Sequence, residues 1–121
     1  MALLRGDDSA ARVVEDFENL AKPLRTTAVT EYELLKGAHL SSKREENLQR
    51  LRRLFYRAQV LGLTHEACGE AARIYSQLES KGKMINEFDI LIAGIVIANE
   101  ETLVSRDEHF EVIEGLRLQS W

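Results

Sequence analysis

Short β-prone runs alternate with helical segments along this chain, and this alternation limits its fold more than any other feature of the sequence. The β-prone runs cover residues 25–29, 59–63, 102–105 and 116–118, and helical patterns lie between them. Neighbouring parallel strands need crossover connections, usually helices, and those helices cover both faces of the sheet. The sequence therefore predicts an α/β fold with three α/β/α layers and a mainly parallel sheet.

Helix boundaries are predicted from capping residues. Side chains that can begin a helix by accepting backbone hydrogen bonds stand at four places: Thr30, Ser42, Thr64 and Asn86. An acid follows three residues after each of the first two, which is the spacing of a capping box. Gly37 and Gly82 are predicted to end helices. An earlier helix is predicted over residues 9–21.

Length and composition are those of a single packed domain. The chain has 121 residues, of which 45% are apolar and 30% charged, so residues 1–121 are predicted to form one domain around one core. Cys68 has no second cysteine to pair with, and its small neighbours favour a buried thiol. The longest uncharged run, 90–99, is shorter than the ~18 residues of a membrane span, and residues 1–6 lack a signal-peptide design. A cytoplasmic protein without a membrane partner is predicted.

Charge is unevenly distributed. The net charge of −4 argues against strong electrostatic binding of nucleic acid by the protein as a whole. However, six of the sixteen basic residues lie between Lys43 and Arg57, in one predicted helix. This basic helix has two interpretations, a solvated helix face or a surface that contacts phosphates.

Several common catalytic motifs are missing from the sequence. It contains no GxxxxGK[ST], no GxGxxG after a strand, no HExxH and no GxSxG, which argues against nucleotide-binding, zinc-protease and serine-hydrolase chemistry. The three histidines, His39, His65 and His109, show no paired metal-binding spacing. Each is interpreted as a surface or capping residue.

Three acids stand where a predicted strand passes into a helix or where a helix begins: Glu33, Asp89 and Asp107. In a parallel sheet such positions gather at one edge, so the three carboxylates can converge. Carboxylate oxygens are ligands for hard cations such as Mg²⁺, and such ions can activate water and stabilise a phosphoryl transition state. The pattern therefore indicates a metal-dependent nuclease site.

The same acids have a structural interpretation, which the spacing leaves open. Glu33 and Asp89 each follow a capping residue by three positions, where an acid completes a capping box or complements the helix dipole. Asp107 can itself cap a helical turn over 108–112. Asp89 lies among apolar residues of a helix predicted to be buried nearly all round, where a carboxylate needs donors or a cation.

Three segments together resemble the acidic motifs of the PIN-domain family, in the usual order: residues 30–37, TEYELLKG; residues 88–93, FDILIA; and residues 103–110, LVSRDEHF. The closing residues 115–121 resemble the end of the family, and the VapC-type toxin ribonucleases look most similar. This resemblance implies a three-layer α/β/α fold and cleavage of RNA with Mg²⁺ or Mn²⁺. It also implies an antitoxin protein as partner and a homodimer.

The resemblance assigns roles residue by residue. Glu33, Asp89 and Asp107 match the acids that hold the metal ion. Ser105 matches a residue that orients the last acid or a bound water. Three further residues match supporting positions, Arg106 as a phosphate contact, Glu87 as an outer acid and Thr30 at the start of the first motif.

The chain departs from the family pattern at its N-terminus. The family begins with a hydrophobic strand that ends in an aspartate, and this chain has no counterpart, since Asp7 and Asp8 follow the matched Leu-Arg-Gly stretch at residues 4–6. The expectation is either a start at an internal Met of a longer reading frame or a degenerate family member, and the intact later motifs favour the first. The leading function is a metal-dependent endoribonuclease. The alternative is a non-catalytic PIN-like binding or interaction module, or a truncated inactive form.

Overall fold

Two pairs of short parallel strands form the frame of the structure. The computed structural model describes residues 24–105 and 107–119, so the helix predicted over 9–21 and the supporting residue Arg106 lie outside the described residues. In chain order, the strands are β1 Arg25–Thr27, β2 Gln59–Leu61, β3 Thr102–Val104 and β4 Arg117–Gln119. β1 pairs with β2 and β3 pairs with β4, both in parallel, which confirms the parallel arrangement predicted from the sequence.

Helices connect the strands and pack against them. They are α1 Ala28–His39, α2 Arg44–Arg57, α3 His65–Lys81 and α4 Glu87–Ala98, with a short 3-10 helix, Glu108–Val112, between β3 and β4. α1 and α2 connect β1 to β2 and supply the crossover that a parallel pair requires. α1 packs on α2, α3 packs on α4, and α4 contacts both β1 and β3. α4 therefore lies against both strand pairs.

The buried apolar side chains of the described residues form two clusters, whereas the composition predicted one core. The larger cluster is Ala71, Ile74, Leu78, Ile90, Ile92, Ala93, Val96, Leu103, Phe110 and Ile113. The smaller cluster is Leu24, Ala38, Leu48, Leu51, Leu54 and Phe55. In the strand register, Leu103 lies opposite Leu118 and Thr26 lies opposite Val60. The smaller cluster joins α1 to α2, and the larger one joins α3 and α4 to β3 and the segment after it.

The start of α1 corrects one predicted cap. The helix begins at Ala28, and its N-cap is Thr27, whose Oγ1 accepts a hydrogen bond from the Thr30 N–H at 3.1 Å. Thr30 was predicted to be the cap but lies inside the helix, where its hydroxyl is 3.0 Å from that of Thr27. The two threonines stand three positions apart and either could cap. The extended backbone of Thr27 at the end of β1 selects it, and both threonines are buried.

The end of α1 and the start of α2 also differ from the prediction. α1 continues through Gly37 to His39, since Gly37 is not among the described glycines with positive φ. α2 begins after Lys43 without a side-chain cap, so Ser42 is not its cap. Instead, the Ser41 hydroxyl donates to the Ala38 carbonyl at 2.7 Å and accepts from Asn47 Nδ2 at 3.0 Å. The connection is therefore held by contacts between the two helices.

The predicted boundaries of α3 and α4 are confirmed. Thr64 Oγ1 accepts from the Ala67 N–H at 3.1 Å, and Gly82 ends α3 with a left-handed φ of 65°. Asn86 caps α4. Where these two helices cross, Gly94 of α4 lies so near α3 that a Cβ atom there would be 2.7 Å from the Ala67 carbonyl oxygen. The absence of a side chain at Gly94 therefore permits the close packing of α3 on α4.

One side chain of α3 does not lie where the sequence predicted. Cys68 was expected to be buried but is exposed, and Tyr75 is also 41% exposed. The buried face of α3 is formed by Ala67, Ala71 and Ile74, so Cys68 and Tyr75, each one residue further along, point away from it. Among the described residues, no helix combines the length and apolar character needed to cross a membrane.

An ion pair between Lys81 and Glu114 connects the end of α3 to the turn before β4. The hydrogen bond from Lys81, and then its charge, lower the pKa of the Glu114 carboxyl from its ordinary value of 4.5. A lowered folded-state pKa stabilises the protein above the unfolded pKa, and that contribution is lost as pH falls through the folded pKa. Glu114→Gln should therefore slightly lower the melting temperature at neutral pH, and the difference should disappear as the pH falls through the folded-state pKa of Glu114.

The measurement is thermal unfolding of both proteins across this pH range. The effect is expected to be small because both side chains are exposed to solvent. A difference that persisted undiminished at the acidic end would contradict this assignment.

Candidate metal centre

Asp89 lies in the first turn of α4. The cap of that helix, Asn86, accepts a hydrogen bond from the Phe88 N–H at 2.8 Å, which fixes the start of the helix. Asp89 is only 2% exposed, and Ile90 beside it is equally buried. A carboxylate at such a site requires polar partners or a cation to offset the loss of hydration. The structure thus confirms the buried acid in an apolar helix.

Asp107 is fixed on the loop that follows β3. Its Oδ1 accepts a hydrogen bond from the His109 N–H at 2.9 Å, so Asp107 is the N-cap of the short helix Glu108–Val112, as the capping interpretation predicted. Its own N–H donates to Ser105 Oγ at 3.0 Å, and Ser105 is 3% exposed. Ser105 therefore holds the backbone that carries Asp107.

Asp89, Asp107 and His109 come together. Each offers one ligand atom, and these atoms all lie within 4.8 Å of one another. His109 Nδ1 is 3.0 Å from Asp107 Oδ1. Asp89 is buried, Asp107 is partly buried and His109 is exposed, so the group extends from the core to solvent. Two carboxylates and an imidazole fit a divalent cation, with oxygen ligands typical of Mg²⁺ and Mn²⁺ sites and an imidazole acceptable to softer transition metals.

Glu33 has a different position from the other two acids. It is half-buried in the second turn of α1, and its carboxylate does not belong to the group of ligand atoms within 4.8 Å. Since Thr27 rather than Thr30 caps α1, the capping-box interpretation of Glu33 is wrong. Glu33 remains a predicted metal ligand.

The supporting residues are distributed around the site. Thr30 is buried and bonded to Thr27, and Glu87 is the exposed first residue of α4. Glu87 lines a shallow groove with Cys68, Tyr75 and Leu91 and is not part of the ligand group.

His109 is the residue that the sequence reasoning missed. It was interpreted as a surface or capping residue, and its side chain is indeed 69% exposed. The signal for a further role was its place two residues after Asp107. An aspartate that caps a helix accepts a hydrogen bond from a nearby backbone N–H and so holds that residue beside it. Here the residue held in this way is His109.

The basic helix α2 keeps both of its interpretations. Arg52, Arg53 and Arg57 are exposed, and with Arg50 and Tyr56 they line an open groove. Exposure agrees with a solvated face and equally with a phosphate-contacting surface. The buried face of the helix includes Leu48 and Leu51.

Comparison with known proteins gives a consistent result. A family model described as the PIN domain matches residues 1–116. The chain is 30% identical over 112 residues to the tRNA(fMet)-specific endonuclease VapC of Shigella flexneri, covering 92% of this chain and 85% of that protein. It is 29% identical over 109 residues to ribonuclease VapC2 of Rickettsia felis, covering 88% and 81%. The structure is similar to the crystal structure of VapBC2 from Rickettsia felis bound to a promoter DNA fragment, with TM-score 0.82 and 24% identity, covering 100% of this chain and 99% of that one.

Proposed function

The chain belongs to the PIN-domain family, and on that basis we propose that it is a metal-dependent endoribonuclease of the toxin–antitoxin type. The observation that carries the proposal is the group formed by Asp89, Asp107 and His109, which combines a buried acid with solvent access. The first two of these are acids of the family motifs.

Each residue of this group has a defined part in the proposal. Asp89 and Asp107 hold the cation, with Glu33 as a third acid from α1, and Ser105 keeps Asp107 in position through its backbone bond. His109, beside Asp107, provides a further nitrogen ligand or donates a hydrogen bond from its ring to the Asp107 carboxylate. A bound divalent ion supplies an activated water and stabilises the negative charge that develops on the phosphate.

The ion is Mg²⁺ or Mn²⁺ in this proposal, because the carboxylate oxygens suit both and the imidazole suits Mn²⁺ as well. The partners are an RNA substrate, a cognate antitoxin protein that occludes the site, and a second copy of the chain. The proposal includes a cytoplasmic location, where RNA substrates are found. VapBC, whose crystal structures this fold resembles, supports the antitoxin partner.

The test is cleavage of RNA. Total tRNA and defined oligonucleotides are incubated with the protein in Mg²⁺, in Mn²⁺ and in EDTA. We expect cleavage in Mg²⁺ or Mn²⁺ and none in EDTA. If the protein cleaves RNA in neither metal, the proposal fails.

A second candidate function is a non-catalytic binding module, and one observation favours it. Asp107 is explained by its capping bond to His109 without any metal ion. The two functions differ in what a metal titration shows. A ligand that binds the folded state raises stability by mass action, so a true site should raise the melting temperature by several degrees at metal concentrations about 100 times Kd. No shift at millimolar Mg²⁺ or Mn²⁺ would favour the binding module.

A further inference from the structure

An exposed cluster of two aromatic rings and a lysine lies where α1 meets α4. The rings of Tyr32 and Phe88 are 5.8 Å apart and meet edge to face at 67°. Lys36 Nζ lies 5.6 Å from the centre of the Tyr32 ring and 5.7 Å from that of Phe88. We call these three residues the aromatic–lysine cluster. Tyr32 is 53% exposed, so a large ring surface faces solvent.

The cluster is adjacent to the acids of the proposed site. Phe88 directly precedes Asp89, and its N–H is held by the cap Asn86, so its backbone is fixed. Tyr32 directly precedes Glu33 on α1. The cluster is therefore one residue along α4 from the ligand group, and one residue along α1 from Glu33, which lies outside that group.

The chemistry of the cluster fits a nucleotide. An exposed aromatic face stacks on a nucleic-acid base of any type, and a lysine ammonium binds a phosphate oxygen. An apolar protein segment fits less well, because covering the cluster would remove the Lys36 ammonium from water without an anion to pair with it. A polyanion beside carboxylates also needs nearby positive charge, which Lys36 supplies.

From this arrangement we infer that Tyr32, Phe88 and Lys36 bind the nucleotide next to the scissile phosphodiester, with the base on the rings and a phosphate on the ammonium. This inference rests on the proposed ribonuclease function. Tyr32 and Lys36 are thus positioning residues for the RNA, and the acids act on its backbone.

The cluster could instead serve only to fasten α1 to α4, and the choice of variants separates these roles. Tyr32→Leu keeps an apolar side chain against Phe88 but removes the ring that stacks on a base. Tyr32→Phe keeps the ring. Tyr75, which is 41% exposed on α3, provides a control outside both the cluster and the basic groove of α2, Tyr75→Leu.

The experiment measures RNA binding without cleavage, in the Asp89→Asn background. RNA oligonucleotides carrying 2-aminopurine at successive positions report stacking, because the fluorescence of this base is quenched when it stacks. We expect one quenched position, lost in Tyr32→Leu together with an increase in Kd of about tenfold. Tyr32→Phe, which keeps the stacking ring, and Tyr75→Leu should remain within about twofold of the parent. Lys36→Gln should weaken binding and reduce the salt dependence by about one phosphate contact.

Cleavage kinetics distinguish failure of this inference from failure of the proposed function. If the unsubstituted protein cleaves RNA and Tyr32→Leu leaves KM, Kd and quenching unchanged, the inference alone is wrong. If RNA is bound with the expected quenching but never cleaved, the ribonuclease function is wrong and the binding site stands. Absence of RNA binding overturns the inference. So does a Tyr32→Leu variant that loses only an antitoxin complex, because the cluster would then bind protein.

Discussion

Asp89→Asn is expected to lower metal-dependent RNA cleavage by at least about 100-fold, because a metal ion contributes several kcal/mol to transition-state stabilisation and this change removes a charged ligand. Asparagine preserves the size of the side chain and one oxygen, so the loss reports on charge. Asp89 is nearly inaccessible to solvent, and no water can readily replace its carboxylate as a ligand. Initial rates of RNA cleavage at saturating Mg²⁺ and Mn²⁺ provide the measurement.

A matched control shows whether any acid at a helix start has the same effect. Glu66 is an exposed acid in the first turn of α3, and Glu66→Gln should leave cleavage within about twofold, since it contacts no part of the proposed site. Thermal unfolding of both variants without metal shows that each is folded. The metal-induced rise in melting temperature should disappear in Asp89→Asn alone. Cleavage at the parent rate by Asp89→Asn would contradict the assignment of this acid to the metal.

Gly94→Ala is expected to destabilise the protein by about 1–3 kcal/mol, because a methyl group must enter a well-packed helix crossing. The new Cβ would lie 2.7 Å from the Ala67 carbonyl oxygen, 2.8 Å from the Ala71 Cβ and 2.9 Å from the Ala71 nitrogen. Two of these three atoms belong to backbone, so no side-chain rotation can relieve the overlap and α3 must move away from α4. Urea unfolding followed by circular dichroism gives the free energy of unfolding.

Gly69 provides the control for the change from glycine to alanine. It lies inside α3, and a Cβ there would meet no atom within 4 Å. Gly69→Ala should therefore stabilise the protein by roughly 0.5–1 kcal/mol, as alanine does relative to glycine in a helix interior. Opposite signs for the two substitutions are the expected outcome. Equal stability of Gly94→Ala and the parent would mean that the two helices do not approach as closely as described.

Local chemistry made much of the fold predictable. Thr64, Asn86 and Gly82 each stand alone at a helix boundary, and each acts there as expected because no neighbour competes for the same backbone groups. The start of α1 was not predictable in the same way. Thr27 and Thr30 both can cap, and the choice depends on where β1 stops pairing with β2, which is a long-range property. The division of the core into two clusters is likewise a consequence of tertiary packing.

The candidate site was predictable in part. Strand-to-helix junctions of parallel sheets gather at one edge, and Asp89 and Asp107 are close together as that rule predicts. The place of Glu33 outside the group depends on the direction of α1, which its spacing from Thr30 did not reveal. His109 joins the group because its backbone N–H donates a hydrogen bond to Asp107. This local bond holds the His109 imidazole near the carboxylate. The pairing of Tyr32 with Phe88 could not be predicted from the sequence, because the two residues are far apart along the chain.

The position of α4 has a consequence for how this protein should be assayed. This helix contacts β1 of one strand pair and β3 of the other, and its first turn carries Asp89. A substitution in either apolar cluster that shifts α4 by a fraction of an ångström alters the distance between Asp89, on that helix, and Asp107, on the loop after β3. The arrangement of the metal ligands is disrupted by smaller displacements than those that accompany unfolding of the domain. A mildly disruptive substitution in the core is therefore expected to weaken metal binding before it measurably lowers the melting temperature.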